Sequence, residues 1–163
     1  MITGKFLTSR DDTSLVMDIR KRVFVDEQGY SLEGERDWHD DMAIYALTFD
    51  ENGTPGATGR LYMDDDNVAT IGRVCTIKSL RGQGLGDLVM RMLLYRVLEM
   101  NLPRVKLSSQ LPAQGFYARY GLKPYGDVFL DEGVPHIMMA ADNADINIEG
   151  SCKHCPAAQD ENS

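Results

Sequence analysis

The chain contains 163 residues with a formal net charge of −8 at pH 7, a length that fits one domain with its own core. The negative charge argues against nucleic-acid binding, which depends on a basic surface, and favours a cationic or amine substrate. No stretch approaches the ~20 apolar residues of a membrane span, the N-terminus lacks the apolar segment of a signal peptide, and an odd number of cysteines suits a reducing compartment. We therefore expect a cytoplasmic protein that acts on neither membranes nor nucleic acids.

The first half of the chain predicts a strand, a helix and a meander of strands. Residues 2–8 predict a short strand, and residues 13–25 predict a helix preceded by residues that cap helices well. The stretch 30–41 is polar and rich in carboxylates, so we expect it to be irregular. Asn52-Gly53 is typical of a hairpin turn, and the apolar runs around it predict three consecutive strands: 42–49, 56–63 and 68–77.

The stretch from Ile71 to Met100 carries the strongest pattern in the chain. Ile71–Ile77 is rich in β-branched residues, which favour a buried strand. From Leu85 onwards the apolar residues recur with a period of 3.6, which predicts one long helix. Between the strand and the helix, glycines stand at positions 82, 84 and 86, so backbone N–H groups at the helix entrance can approach a ligand without side chains in the way.

This glycine loop, Arg81–Gly86, predicts a phosphate-binding site. The first N–H groups of a helix have no partner within it, and the positive end of the helix dipole favours an anion there. Arg81 adds a positive charge. The loop lacks the Gly-Lys-Ser/Thr of a nucleotide-triphosphate loop, and its G-x-G-x-G spacing and late position differ from the dinucleotide-binding pattern. A tight glycine turn before an ordinary helix is the structural alternative.

The remaining chain predicts a strand, a short helix, a hairpin and a tail. Residues 104–109 predict a strand parallel to the one before the glycine loop, since a helix connects the two. A short helix over 113–120 and a hairpin of strands 123–129 and 134–140 follow. Residues 141–163 are poor in apolar residues and predict a flexible acidic tail. The tail contains Cys152-x-x-Cys155, but a structural zinc site needs four ligands and the chain has no second pair, so we expect no metal.

Four stretches of the sequence resemble a known family. Arg81-x-x-Gly84-x-Gly86 after a strand resembles the R/Q-x-x-G-x-G/A signature of the GCN5-related N-acetyltransferases, the GNAT superfamily. Phe116–Leu122 resembles that family's FYxxxGF segment, with Leu122 in place of the last Phe. VFVDEQ at 23–28 and GVPHIMM at 133–139 are similar to small bacterial ElaA-type members. The resemblance covers residues 2–140 and implies one GNAT domain over 1–140: an α+β fold with a central mixed sheet flanked by helices.

The resemblance implies acetyl-CoA as co-substrate and assigns residues to its binding. Val74, Cys75 and Thr76 would lie on the strand whose backbone contacts the pantetheine arm and the acetyl carbonyl. Gln110 would lie just past the next strand, where the family separates two parallel strands to admit the cofactor. The pyrophosphate would be held by the glycine loop and the residue after it: Arg81, Gly82, Gln83, Gly84, Leu85, Gly86 and Asp87.

The implied chemistry is direct transfer of the acetyl group to a primary amine, which needs a base for the amine and an acid for the leaving thiolate. Tyr117 matches the family tyrosine given the role of acid, and a core tyrosine is the alternative. For the base, Glu27 and His136 are the candidates, with Glu33 and Glu35 as further carboxylates in the same acidic region. A solvated surface acid and a structural histidine are the alternatives.

The acceptor and the assembly stay open on sequence alone. The acceptor is a small-molecule or a protein amine, and a homodimer is one arrangement that the resemblance allows. Two other functions compete with N-acetyl transfer. Arg20–Phe24 and Asp37–Asp41 are loosely similar to acyl-homoserine-lactone synthases, a related fold, and a non-catalytic acyl-CoA-binding sensor would share the same glycine loop.

Overall fold

The computed structural model describes residues 1–149, which form one seven-stranded mixed sheet with helices packed on both faces. The strands lie in the order β1-β2-β3-β4-β5-β7-β6. Only β4 and β5 pair in parallel; every other neighbouring pair is antiparallel. The strands span Thr3–Thr8 (β1), Ile44–Phe49 (β2), Pro55–Met63 (β3), Ala69–Thr76 (β4), Arg104–Gln110 (β5), Lys123–Asp131 (β6) and Val134–Asp142 (β7).

Within residues 1–149, four α-helices accompany this sheet, together with shorter helical turns. The longest, α3, connects the two parallel strands, as a right-handed crossover requires. The first helix continues without a break into a π-helical segment, Lys21–Glu27, which ends beside the sheet. The helices span Ser14–Arg20 (α1), Leu32–Glu35 (α2), Leu85–Glu99 (α3) and Gln114–Ala118 (α4), and short 3-10 turns cover Trp38–Asp41, Lys78–Leu80, Leu111–Ala113 and Asn143–Asp145.

Alternation along the strands divides the core into two layers. Ala46 of β2 faces the layer that contains α3 and α4, whereas its neighbours Tyr45 and Leu47 face the layer that contains α1. The same alternation separates Val74 from Cys75 on β4. The sheet is therefore covered on both faces, and the predicted α+β class with a mixed sheet flanked by helices is confirmed.

The C-terminal region differs from its predicted boundary. A flexible tail was expected from residue 141, but β7 continues to Asp142, and Ile146 and Ile148 pack against the core. Asn147 donates its N–H to the carbonyl of Tyr120. The scarcity of apolar residues in this stretch did not prevent it from packing, because a few apolar side chains are enough to hold it against the core when backbone hydrogen bonds also fix the chain. The Cys152-x-x-Cys155 motif lies outside the described residues.

Candidate active site

The parallel strands β4 and β5 separate partway along their length. They pair only from Ala69–Val105 to Ile71–Leu107, although β4 runs on to Thr76 and β5 to Gln110. Just past the last pair, Arg73 has a φ of +52°, and the register between β3 and β4 shifts between Thr58 and Arg60. This bulge bends β4 away from β5, since an extra residue in one strand interrupts the ladder and increases its twist.

The gap between the strands opens into one cavity of about 660 Å³, which we call the central cavity. Its walls come from both separated strands, from the segment after α1 and from the β6–β7 hairpin. Apolar, aromatic and charged side chains alternate around it, as is usual for a small-molecule site. Its lining residues include Phe24, Tyr30, Val74, Gln110, Tyr117, Phe129, Asp131, Glu132 and His136.

The glycine loop lies at the end of β4 and leads directly into α3. Gly82 and Gly84 have φ values of +83° and +84°, which residues with a Cβ adopt only with strain. Gly84 is the N-cap of α3, and no side chain caps that helix end. A Cβ placed on Gly82 would meet no atom within 4 Å, so the loop faces open space. The uncapped N–H groups, the exposed loop and the helix dipole together fit a bound pyrophosphate.

Arg81 contributes less free charge to this loop than its position in the sequence suggests. Its two terminal nitrogens pair with both carboxylate oxygens of Glu27 at 2.8 and 2.7 Å. Its Nε donates to the carbonyl of Thr76 at 3.1 Å. Arg81 therefore joins the end of the π-helical segment to the end of β4, and Glu27 is engaged in an ion pair rather than lining the central cavity.

The three predicted residues of β4 point in alternate directions. Val74 lines the central cavity, whereas Cys75 is fully buried in the layer on the other side of the sheet. Burial raises the pKa of the Cys75 thiol well above its usual range, so the thiol is neutral and unsuited to act as a nucleophile. Thr76 is also fully buried.

Gln110 lies where β5 ends and forms part of the cavity wall. Its Nε2 donates to Oε1 of Gln28 at 2.9 Å and to the hydroxyl of Tyr30 at 3.3 Å. These bonds tie β5 to the segment after the π-helical turn. The side chain of Gln110 therefore holds the two walls of the cavity together.

The predicted tyrosine, Tyr117, lies on α4 and reaches the cavity. It is only 5% exposed and packs edge-on against Phe116, with ring centroids 5.1 Å apart. The neighbouring Tyr120 has a different role, because its hydroxyl donates to Asp87 on α3. Asp87 also pairs with Arg91 at 3.0 Å, so its carboxylate is used within the fold and only its backbone is left for the glycine loop's ligand.

His136 lies on β7 at the cavity wall, 6% exposed, and stacks on Phe129 with centroids 5.9 Å apart. Its Nδ1 lies 2.7 Å from the carbonyl of Val134. A carbonyl only accepts hydrogen bonds, so in the neutral imidazole Nδ1 carries the proton and Nε2 has the lone pair. Of the two candidate bases, His136 is thus the one in the cavity with an available nitrogen.

A buried ion network under the cavity was not predicted. Arg20, 1% exposed, pairs with Glu35 and with Asp40, each at 2.6 Å. Arg60 pairs with Asp37 at 2.7 Å and with Asp40 at 3.0 Å. The stretch expected to be an irregular acidic surface is therefore fastened to the sheet. The spacing of these acids was visible in the sequence, but their ion-pair partners could not be identified from it, because the partners lie 15 to 23 residues away along the chain.

The network also sets the ionisation of its central carboxylate. Burial alone would raise the pKa of Asp40, but hydrogen bonds from Arg20 and the charges of Arg20 and Arg60 hold it well below its usual range. The hydroxyl of Tyr45 donates to the same carboxylate at 2.9 Å. Asp40 therefore remains charged at neutral pH and holds the wall segment in one position.

Residues 1–149 contain neither a candidate metal cluster nor a candidate membrane-spanning helix. That part of the chain contains no group of three His, Cys, Asp or Glu side chains able to hold a metal ion. Within the same part of the chain, no helix has both the length and the apolar character needed to cross a membrane.

Comparisons with known proteins agree with this geometry. Residues 14–122 match the profile of the Acetyltransferase (GNAT) family. The uncharacterized N-acetyltransferase YjcF of Bacillus subtilis (strain 168) is 31% identical over 76% of this chain and 88% of its own. An acyl-CoA N-acyltransferase from Pseudomonas aeruginosa is 27% identical, with a TM-score of 0.75 over 86% of this chain and 99% of its own. Escherichia coli ElaA is 28% identical, with a TM-score of 0.73 over the same shares.

A likeness of fold alone extends to a second group of acyltransferases. The CoA-dependent acyl-homoserine lactone synthase BjaI gives a TM-score of 0.68 over 92% of this chain and 86% of its own, at 16% identity. At that identity the similarity concerns the arrangement of strands and helices and carries no assignment of substrate.

Proposed function

The chain belongs to the GNAT acetyltransferase family, whose members use an acyl-CoA co-substrate, and on this premise we propose that it is an acetyl-CoA-dependent N-acetyltransferase of a primary amine. One observation carries the proposal. The separated strands β4 and β5 connect an open glycine loop at one end to a cavity with His136 and Tyr117 in its wall. A donor bound along β4 would thus bring its acyl group next to the groups that move protons.

Acetyl-CoA supplies the activated acyl group and a thiol leaving group when it is bound. In this proposal the N–H groups of the glycine loop and of Asp87 hold the pyrophosphate at the start of α3. The Val74–Thr76 backbone holds the pantetheine arm, and one of its N–H groups donates to the oxygen on which negative charge develops. Gln110 fixes the end of β5 to the segment that forms the opposite wall of the cavity.

We assign His136 as the base. The attacking amine must lose a proton, and Nε2 of His136 can accept it because Nδ1 already donates to Val134. As the amine nitrogen bonds to the thioester carbonyl carbon, its proton passes to Nε2 and the carbon–sulfur bond breaks. Glu27 is less suited to this role, since both its oxygens pair with Arg81.

We assign Tyr117 as the acid. A phenol is protonated at neutral pH and can give its proton to the departing thiolate. The support is its place in the cavity wall together with its match to the family's tyrosine. After the products leave, His136 gives its extra proton to solvent and Tyr117 takes one from solvent, so both side chains return to their starting states.

An acyl-homoserine-lactone synthase is the second candidate, based on the loose sequence similarity at Arg20–Phe24 and Asp37–Asp41. The residues that suggested it, Arg20 and the acids at 37 and 40, belong to the buried ion network, which gives them a structural role. Because BjaI is itself CoA-dependent, the glycine loop does not separate the two functions. Acyl-homoserine lactone in the medium of overexpressing cells would favour this candidate.

The test combines binding with turnover. Acetyl-CoA should raise the melting temperature, because a ligand bound only by the folded state stabilises it. Free coenzyme A thiol should then be released faster in the presence of a primary amine than in its absence. A melting shift without turnover over a broad amine panel would instead favour a non-catalytic acyl-CoA sensor, and the absence of any shift would contradict the proposal.

A further inference from the structure

Most charged side chains around the central cavity are already paired. Arg60 pairs with the ion network below it, Arg73 lies 3.5 Å from Asp37, and Lys106 pairs with Asp64. Their charges therefore compensate one another locally, and none of these groups needs a ligand of opposite sign.

Asp131 and Glu132, at the turn between β6 and β7, are different. Both line the cavity, and neither has a cation partner among residues 1–149. Glu132 accepts a hydrogen bond from the backbone N–H of Ser31 at 3.4 Å, a neutral donor. Within residues 1–149, these two exposed carboxylates therefore place negative charge at one end of the cavity.

The register of the hairpin places this charge on the same face as the proposed base. Phe129 pairs with His136, and Asp131 pairs with Val134. Residues two apart on a strand point to the same side, so Asp131 shares a face with Phe129 and His136. All three line the cavity, and because Nδ1 of His136 is engaged with the carbonyl of Val134, Nε2 is the ring nitrogen left for a ligand. Two residues along a strand span about 7 Å, so Asp131 lies about 7 Å along the strands from the pair formed by Phe129 and His136.

Aromatic rings surround the same end of the cavity. Phe24 and Tyr30 meet edge-on with centroids 6.1 Å apart, and Phe129 stacks on His136. Burial and then the charge of Asp131 raise the pKa of the Tyr30 phenol, as expected where the potential is negative. Aromatic faces beside carboxylates attract organic cations.

We propose that the acceptor is a small molecule with two amino groups, one acetylated beside His136 and the other held as a cation by Asp131 and Glu132. This inference rests on the proposed N-acetyltransferase function and names its substrate class. The separation of ~7 Å between His136 and Asp131 along the strands matches two amines separated by roughly four or five carbons in an extended chain. The near amine loses its proton to His136, whereas the far amine keeps its charge.

The walls favour a small molecule over a protein side chain. Gln110 bonds to Gln28 and Tyr30, and Ser31 bonds to Glu132, so the 28–31 segment is joined both to β5 and to the hairpin. These contacts close one side of the cavity. A lysine on a protein surface would have to enter with its backbone and neighbouring residues.

The test compares 1,4-diaminobutane with n-butylamine, which has the same length but lacks the second cation. With saturating acetyl-CoA, kcat/KM for the diamine should exceed that for the monoamine at least tenfold, beyond the statistical advantage of two reactive ends. In the double variant Asp131→Asn/Glu132→Gln this ratio should fall towards that statistical value. The control, Asp127→Asn, removes the same charge from an exposed residue of β6 that does not line the cavity, and should keep the wild-type ratio.

The outcomes separate this inference from the proposed function. Equal kcat/KM values for the two amines in the wild-type protein, or an unchanged ratio in the double variant, would overturn the diamine assignment and leave N-acetyl transfer standing. A lysine-containing peptide acetylated faster than the diamine would also overturn it. Acetyl-CoA binding without acetylation of any amine would overturn the proposed function and this inference together.

Discussion

Glu27 and Arg81 form a bidentate ion pair, with oxygen–nitrogen distances of 2.7 and 2.8 Å, that joins the end of the π-helical segment to the start of the glycine loop. The pair is partly buried, and Arg81 also donates to the carbonyl of Thr76. Glu27, expected to face the amine, and Arg81, expected to face the phosphate, therefore neutralise each other's charge. This contact decides which candidate base remains available.

Glu27→Gln should leave the pH dependence of kcat/KM unchanged, because Glu27 does not handle the amine proton in this structure. Loss of its charge should strengthen the positive potential at the glycine loop and lower the KM for acetyl-CoA. The effect should shrink as salt is added, since partly exposed charges are screened. Steady-state kinetics at two ionic strengths measure both quantities, and a collapse of kcat would restore Glu27 as the base.

His136→Gln should lower kcat by about 10²- to 10⁴-fold, the usual contribution of a general base. The melting shift with acetyl-CoA should persist, because His136 lies away from the glycine loop. His39→Gln is the matched control: His39 itself does not line the cavity, although its ring stacks on that of Tyr62 with centroids 4.1 Å apart, and the variant should retain activity. Equal losses in the two variants would argue for a general effect on folding instead of base catalysis.

Tyr117→Phe removes only a hydroxyl from a side chain that is already packed in the core. We expect kcat to fall by about 10²-fold or more while the acetyl-CoA melting shift stays the same. Tyr95→Phe, at an exposed position of α3, serves as the control. Unaffected turnover in Tyr117→Phe would mean that the residue packs α4 and that another group protonates the thiolate.

Gly84→Ala should weaken acetyl-CoA binding more than it weakens the fold. Its φ of +84° is strained for alanine, by about 1 kcal/mol, and the residue lies at the N-terminus of α3. Gly53→Ala introduces the same strain at φ +79° in an open hairpin turn far along the chain. Both variants should melt earlier, but only Gly84→Ala should lose part of the acetyl-CoA melting shift; equal shifts would contradict the role of the glycine loop.

Asp40→Ala should destabilise the fold by about 3 kcal/mol or more, because it leaves Arg20 and Arg60 buried beside a missing charge. Asp18→Ala, which breaks an exposed pair with Arg22 at 3.8 Å, should cost less than about 1 kcal/mol. Denaturant unfolding measures both. Similar losses would mean that the buried network contributes no more than a surface pair.

The same carboxylate predicts a loss of stability in acid. The pKa of Asp40 is depressed in the folded state, so its contribution is complete above its ordinary value near 3.8 and decreases as the pH falls below that value. The free energy of unfolding of the wild-type protein should therefore fall below about pH 4 more steeply than that of Asp40→Ala. Parallel pH curves for the two proteins would contradict this.

Much of the fold could be predicted from local pattern. The strand at 68–77, the glycine loop and the helix from Leu85 each depend on side-chain periodicity or on glycine placement, which act over a few residues. The hairpin partners also follow from short turns. The predicted start of a tail at residue 141 failed because hydrogen bonds to distant residues, such as that from Asn147 to Tyr120, hold the chain there.

By itself, the sequence determined the family, the glycine loop and the order of strands around it, since these are properties of neighbouring residues. Only the tertiary structure decided which charges are free. Glu27 meets Arg81 across 54 residues, Arg20 meets Asp40 across 20, and Asp131 shares a face with His136 through strand register. The ionisation and availability of a side chain depend on its neighbours in space, so the acceptor end of the site could be assigned only after folding had placed those neighbours.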